Sequence, residues 1–425
     1  MFPSARYSLA SKRIDILKPK KQDGLGSGSV MSNTANDPDP ARRNNLALLL
    51  SMVHHRKVLS RVQLAKQTGL NRSTISTLIA QLVALDLVHE TAPSGATQVG
   101  RPSPDVHPSE SIAALTINPE IDAITIGLVS LGGNVIKKIR YETERIPSAQ
   151  EAVSIAAAVI AGMRSELDAN YRIVGVGIAV PGLVTPADGV VQHAPHLGWR
   201  NEPVAGMLAA STGYPTQAAN DASLGAEAES IFGAGAELRN LIYLNGGASG
   251  IGGGIIADGK LLSGISGYAG ELGHTFVRTD GSPCYCGARG CLETEVQQSR
   301  LLELLGLNGG ELGQLEEALI AAERPDAQAE VERQLGYLSI ALRNAVNIFN
   351  PGVILLDGFL SVLYAAAPAV LDSLLSSQSM SEPAGQVRVL RATLGSDLML
   401  IGAAELAFAP LLMDPVGFLN SLAKG

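Results

Sequence analysis

The stretch GELGHTFVRTDGSPCYCGARGCLETE, residues 270–295, contains all three cysteines of a 425-residue chain: Cys284, Cys286 and Cys291, with His274 upstream. A disulfide framework needs more cysteines, spaced more widely. Thiols packed this closely read as metal ligands in a reducing compartment, which predicts a cytoplasmic protein. Three thiolates and the His274 imidazole make a closed tetrahedral shell for Zn2+. No coordination position is left for an activated water, so the ion is expected to be structural. Gly287 and Gly290 let the chain wrap tightly around it. The competing reading, three buried apolar cysteines, does not account for their clustering.

Working outward, Glu271, Glu293 and Glu295 flank this knot, and Asn220-Asp221 lies upstream in AANDASLGAE. Carboxylates and amides at strand ends suit polyols, whose hydroxyls both donate and accept. An Asp beside a hydroxyl is also the general base that phosphoryl transfer requires. Asn-Asp alone is equally a turn. The glycine run from Asn245 to Gly254 reads either as a phosphate cradle or as a tight hairpin. Strand pairs alternating with helices from about residue 110 to 413 predict an α/β body of two lobes. The expected strands are 124–131, 133–142, 172–182 and a pair within 241–262. The expected helices are 151–168, 327–349 and 398–413.

The front differs. Residues 1–44, with KPKK, GSGS and DPDP, cannot fill a core and predict a disordered tail; Met31 offers an alternative start. Leu46, Leu49, Leu50 and Val53 then begin a helical spacing. Ser60 caps a second helix that ends at Gly69. Asn71 caps a third, with Ile75, Leu78, Ile79 and Leu82 on its apolar face. Gly95, Gly100, Pro102 and Pro104 suggest a wing and linker. Three helices and a wing over 45–107 predict a winged helix-turn-helix that binds double-stranded operator DNA. Arg72, Ser73, Thr74, Ser76 and Thr77 are the expected base-reading residues. Arg56, Lys57, Arg61 and Lys66 are expected on phosphates, and Arg101 in a minor groove. The alternative is a small helical oligomerisation module.

Composition agrees with this division. Net charge is −8, yet residues 1–44 carry 8 basic and 4 acidic groups, 45–104 carry 6 and 2, and the remainder 18 and 34. A basic front on an acidic body suits an anionic partner for the front alone. Hydrophobic residues at 46% and charged residues at 17% exclude collagen and bulk disorder. No unbroken apolar run predicts a membrane span, and the N-terminus lacks the apolar core of an export signal.

With these residues assembled, the chain resembles the ROK family (repressor, open reading frame, kinase) over about residues 45–415. The resemblance rests on ExGH at Glu271–His274, CxCGxxGCxE at Cys284–Glu293, Asn220–Ala222, the GIGGGII run and the GRP after the wing. It implies an actin-like ATPase fold of two ribonuclease-H-like lobes, preceded by the winged domain. The first lobe would span 108–220 and the second 221–425, with the last helix returning to the first lobe. It implies zinc on His274, Cys284, Cys286 and Cys291. It also implies a sugar held by Asn220, Asp221, Glu271, His274 and Glu293, with His274 facing both ways.

Two departures bear on function. The family's kinases open with a DxGGTK-like phosphate loop; here the stretch reads ALTINPEIDAITIGL, with Asn118-Pro119-Glu120 in place of glycines. The later turn LLDGFL has one glycine, Gly358, where kinases have two or three. Asp221 would then be a vestigial base. On the sugar side, His196 takes the place of an Asn. The expected function is a sugar-responsive repressor of carbohydrate genes, without catalysis, acting as a homodimer or homotetramer with no membrane association. The alternatives are an ATP-dependent sugar kinase with a DNA-binding appendix, or a body that docks a protein.

Overall fold

A computed structural model describes residues 40–93, 103–247, 250–307, 312–321 and 324–422. Residues 1–39 of the expected tail lie outside them, but its last residues are already helical. Helix α1 runs Pro40–Arg56. Proline suits the first helical turn, where its missing N–H has no partner to lose. Arg42 extends the helix's use by donating to Gln81 at 2.7 and 3.0 Å.

Helices α2 (Arg61–Thr68) and α3 (Arg72–Ala84) follow, each started by local chemistry. The Ser60 hydroxyl and the Gln63 side chain form a reciprocal capping box. Gly69 closes α2 at φ 73°, a conformation most side chains resist. Asn71 accepts the Thr74 amide hydrogen and opens α3. Leu46, Leu49, Leu50, Val53, Ile75, Ile79 and Leu82 are fully buried together. Strands Leu59–Ser60, Asp105–Pro108 and Val88–Thr91 form a three-stranded sheet beside the helices. The expected wing tip, Arg101 included, lies outside the described residues.

Two five-stranded sheets form the body, and both follow one plan. In the first, Ile112–Pro119, Ala123–Ser130 and Asn134–Glu142 make an antiparallel meander, and Arg172–Val180 and Thr216–Asn220 add parallel on the other side. In the second, Leu241–Gly247, Gly250–Ala257 and Lys260–Leu261 make the meander, and Val353–Asp357 and Arg388–Arg391 add parallel. These are two ribonuclease-H-like lobes of an actin-like fold. The central strands of the first sheet are buried at every position, as expected for strands covered on both faces. The edge strand, with its run VIKKIRYE, stays half wet.

Helix Leu398–Met413 lies across the first sheet. A Cβ at Gly177 would come within 1.8 Å of the Ala403 carbonyl oxygen, so only glycine permits this approach. Over 395–413 the helix is long and apolar enough to cross a bilayer, which the sequence reading did not anticipate. Here it is a core helix: Leu400, Ala404, Phe408 and Leu411 pack in one cluster with the buried faces of α1 and α3. The front helical domain, the expected reading head, and the body therefore share a core.

Candidate functional site

Asn220 ends a parallel strand and Asp221 begins the helix Asp221–Phe232, so both stand at a carboxyl edge, where ligands bind in open α/β sheets. The Asn220 side chain accepts the Ser223 amide hydrogen at 2.9 Å and donates to the Gly182 carbonyl at 3.0 Å. The Asp221 carboxylate accepts the Ala222 amide hydrogen at 2.8 Å. Asn220, Asp221, Glu271, His274 and Glu293 all line one cleft of about 440 Å³, joined by His193, His196 and Tyr285. Burial pushes the Asp221 carboxyl up to about 7, with Glu271 adding and the Ala222 amide opposing. Burial also raises Glu271, with Glu293 adding to the rise and His274 countering it. The site is thus a polar, desolvated hollow rich in acceptors, suited to a neutral polyol.

The glycine run between the two readings is sheet. Leu241–Gly247 pairs with Gly250–Ala257 in unbroken register, and only its tip, 248–249, lies outside the described residues. Its glycines give room for close packing. A Cβ at Gly254 would meet the Ala226 methyl at 2.4 Å, and one at Gly250 would meet the Glu293 carboxylate at 2.6 Å. Gly252 is equally tight against Ala222. The run presses the Asp221 helix and Glu293 into the cleft.

His274, Cys284, Cys286 and Cys291 each present one ligand atom, all within 4.8 Å of one another. Cys286 and Cys291 sulfurs are 3.7 Å apart. Two sulfurs on one tetrahedral zinc, at about 2.3 Å each, lie about 3.8 Å apart, so the thiols fit that ion. His274 turns Nδ1 toward Cys284 Sγ at 3.5 Å. At Gly290, φ is 71° and a Cβ would strike the Arg278 carbonyl oxygen at 1.8 Å. Glu295 departs from the other flanking carboxylates. It is fully buried away from the cleft, accepts the Ser282 amide hydrogen at 2.7 Å and Arg278 at 3.1 Å, and so ties the knuckle down.

Beside this cleft, across Asn245 and Gly247, which line both hollows, Asn118 donates to the Ala179 carbonyl at 3.0 Å. Glu120 accepts from Thr125 at 3.1 Å and from Arg140. A carboxylate of the chain itself thereby takes the donors facing a second hollow that reaches to Asp357 and Gly358.

The reading head is less uniform than expected. Arg72, Ser73 and Thr77 are exposed, and Thr74 is half-buried. Ser76 instead accepts from Arg61 at 3.2 Å, and Arg61 is held by Glu90 at 2.5 Å. Arg56 pairs with Glu237, and Lys57 lies 5.5 Å over the Phe232 ring. Three of the four expected phosphate ligands thus have partners within the protein, although Arg56 and Lys57 stay exposed, as does Lys66. The reason is that the end of α1 and the start of α2 abut acidic, aromatic and amide side chains that are distant in sequence.

Sequence reasoning also missed a buried junction. His54 Nε2 donates to Glu405 at 2.7 Å, and His55 lies 3.7 Å from the same carboxylate. The three could frame a metal by distance alone. However, His54 Nδ1 accepts the Gly132 amide hydrogen at 2.8 Å. The ring proton is then on Nε2, where a metal would need the lone pair.

The sequence profile described as the ROK family matches residues 121–409. The xylose repressor of Bacillus subtilis (strain 168) is 28% identical over 371 residues, covering 86% of this chain and 95% of its own length. A glucokinase of Streptomyces coelicolor is 32% identical over 327 residues, covering 71% of this chain and 99% of its own. Among solved structures, a ROK family transcriptional regulator homologous to the E. coli MLC protein superposes with TM-score 0.73 at 25% identity, covering 91% of this chain and all of that one.

Proposed function

The chain belongs to the ROK family, and on that premise we propose that it is a sugar-responsive transcriptional repressor that binds operator DNA through α3. The observation that carries this reading is the shared core between an exposed hydroxyl-bearing helix and a carboxylate-lined cleft. The B. subtilis repressor match covers 86% of the chain, whereas the glucokinase match covers 71% and leaves uncovered about the length of the tail and the front domain together. Sugar would bind Asn220, Asp221, Glu271, His274 and Glu293. Lobe closure would then reorient paired heads in a homodimer or homotetramer. A full switch from 1:99 to 99:1 needs a difference of about 5.5 kcal/mol in affinity for the two states.

Zinc would be held by His274, Cys284, Cys286 and Cys291 and would supply a rigid, charge-neutralising anchor. The bound imidazole keeps its orientation, and Nε2 keeps a hydrogen for the cleft. Glu293 would then stand at a fixed position beside it.

The test couples both sites. Duplexes selected from a random-sequence pool should bind with an affinity that changes on adding one member of a pentose and hexose panel. Arg72→Ala should weaken that duplex binding about tenfold or more while leaving sugar affinity intact. Equal loss of both would misplace the reading head.

Asp221, with its raised pKa, favours a second reading as a kinase. Glu120 opposes it by filling the donors a phosphate needs. In an ATP-coupled assay over the same panel, no turnover above background is expected. Turnover that disappears in Asp221→Asn would establish the kinase instead.

A further inference from the structure

We propose that Tyr285 is a built-in competitor for the effector: its phenol occupies the hydroxyl-binding position on His274, and a sugar binds by displacing it. The proposal rests on the sugar reading of the cleft. Tyr285 sits between two of the thiols, yet its hydroxyl reaches back to His274 Nε2 at 3.0 Å. His274 Nδ1 faces the thiol side, so with Nδ1 on zinc the ring hydrogen would sit on Nε2, turned toward the phenol oxygen. That hydrogen is the imidazole's sole remaining donor, so a sugar hydroxyl and the phenol cannot both receive it in full.

The phenol is also placed where a polyol would be. It lines the same cleft as Glu271 and Glu293, and a phenol hydroxyl offers one donor and an acceptor, as an alcohol does. The ring meets His274 edge-on at 5.1 Å and His196, from the other lobe, at 5.7 Å. It thus spans the cleft. The residue is 51% exposed, so little packing opposes its leaving. The His196 Nε2 atom is buried and has no hydrogen-bond partner among the described residues; the phenol does not serve it, and a sugar hydroxyl would.

The test is Tyr285→Phe, which keeps the ring and removes the competing oxygen. By calorimetry with the best-binding monosaccharide of the panel, Kd should fall roughly two- to tenfold, the scale of one hydrogen bond, with zinc content unchanged. Tyr285→Met, which also lacks the hydroxyl, should shift Kd in the same direction should the phenylalanine variant fail to fold. An unchanged or higher Kd in the variant, with the wild type binding normally, overturns the competitor and leaves the sugar reading standing. Absence of binding by wild type and variant alike overturns the sugar reading itself, and the competitor with it.

Discussion

Cys286→Ser is expected to purify with far less than one equivalent of zinc and to melt well below the wild type. Apart from the Glu295 contacts to Ser282 and Arg278, few buried side chains hold the knuckle. Its chain passes from Phe276 to Cys291 through exposed side chains, Phe276 and Tyr285 among them, with Cys284 and Cys291 as its buried cysteines. Backbone ties such as Cys284 to Ala288 at 2.9 Å and Gly290 to Ser282 at 2.9 Å shape the turn without burying much apolar surface. Structural zinc contributes about 10–16 kcal/mol in small peptides, against a total stability of about 5–15 kcal/mol for an ordinary domain. Even a fraction of that energy exceeds what this loop gains from packing. Metal analysis alongside calorimetry checks the expectation, and a metal-free variant with an unchanged melting temperature would refute it. Sugar affinity should fall in parallel, because His274 and Glu293 share the knuckle's frame.

Glu405→Ala is the second large effect, at about 3–5 kcal/mol of stability, the scale for breaking a buried hydrogen-bonded pair. Removing the carboxylate leaves the His54 Nε2 hydrogen buried without an acceptor, and His55 loses its neighbour. Burial alone would raise Glu405, but His54 and His55 outweigh it and hold the carboxyl at about 2. Its folded pKa is depressed, so the stabilisation is complete above the ordinary carboxylate range and is lost as pH falls from about 4.5 toward 2. Urea titrations at pH 7 and pH 3 should therefore show a smaller penalty for the variant at pH 3; an equal penalty would sink the account of a buried, hydrogen-bonded carboxylate. The double variant His54→Leu with Glu405→Leu should recover part of the loss. The remainder belongs to the Gly132 amide, left without an acceptor. Since this pair joins α1 to the body's core helix, the single variant should also blunt the effect of sugar on duplex binding.

The helix caps show how far local chemistry carries. Ser60 with Gln63, Gly69 at positive φ and Asn71 with Thr74 depend on residues three or four apart, so the head's helices were legible from their own stretch of chain. The same holds for the thiols, whose spacing confines them to one turn of backbone, and for the first-sheet strands, whose apolar runs match their burial. The glycine run was ambiguous because a glycine's purpose depends on what approaches it; here Ala222, Ala226 and Glu293 do. Tyr285 was hidden for a similar reason, since its partners His196 and His274 come from different lobes.

From its residues alone this chain declared a Cys/His knuckle, an α/β body and a small helical front domain, because periodicity, caps and ligand spacing act over a few residues and survive without knowledge of the fold. Tertiary structure alone decided that Arg56, Lys57 and Arg61 have partners within the protein, that Glu120 fills its own donor site, and that His54 meets Glu405 across 351 residues of sequence. Those outcomes turn on which charged or polar group is brought opposite another when the core closes, and burial makes each such meeting strong while leaving no mark on the neighbouring sequence.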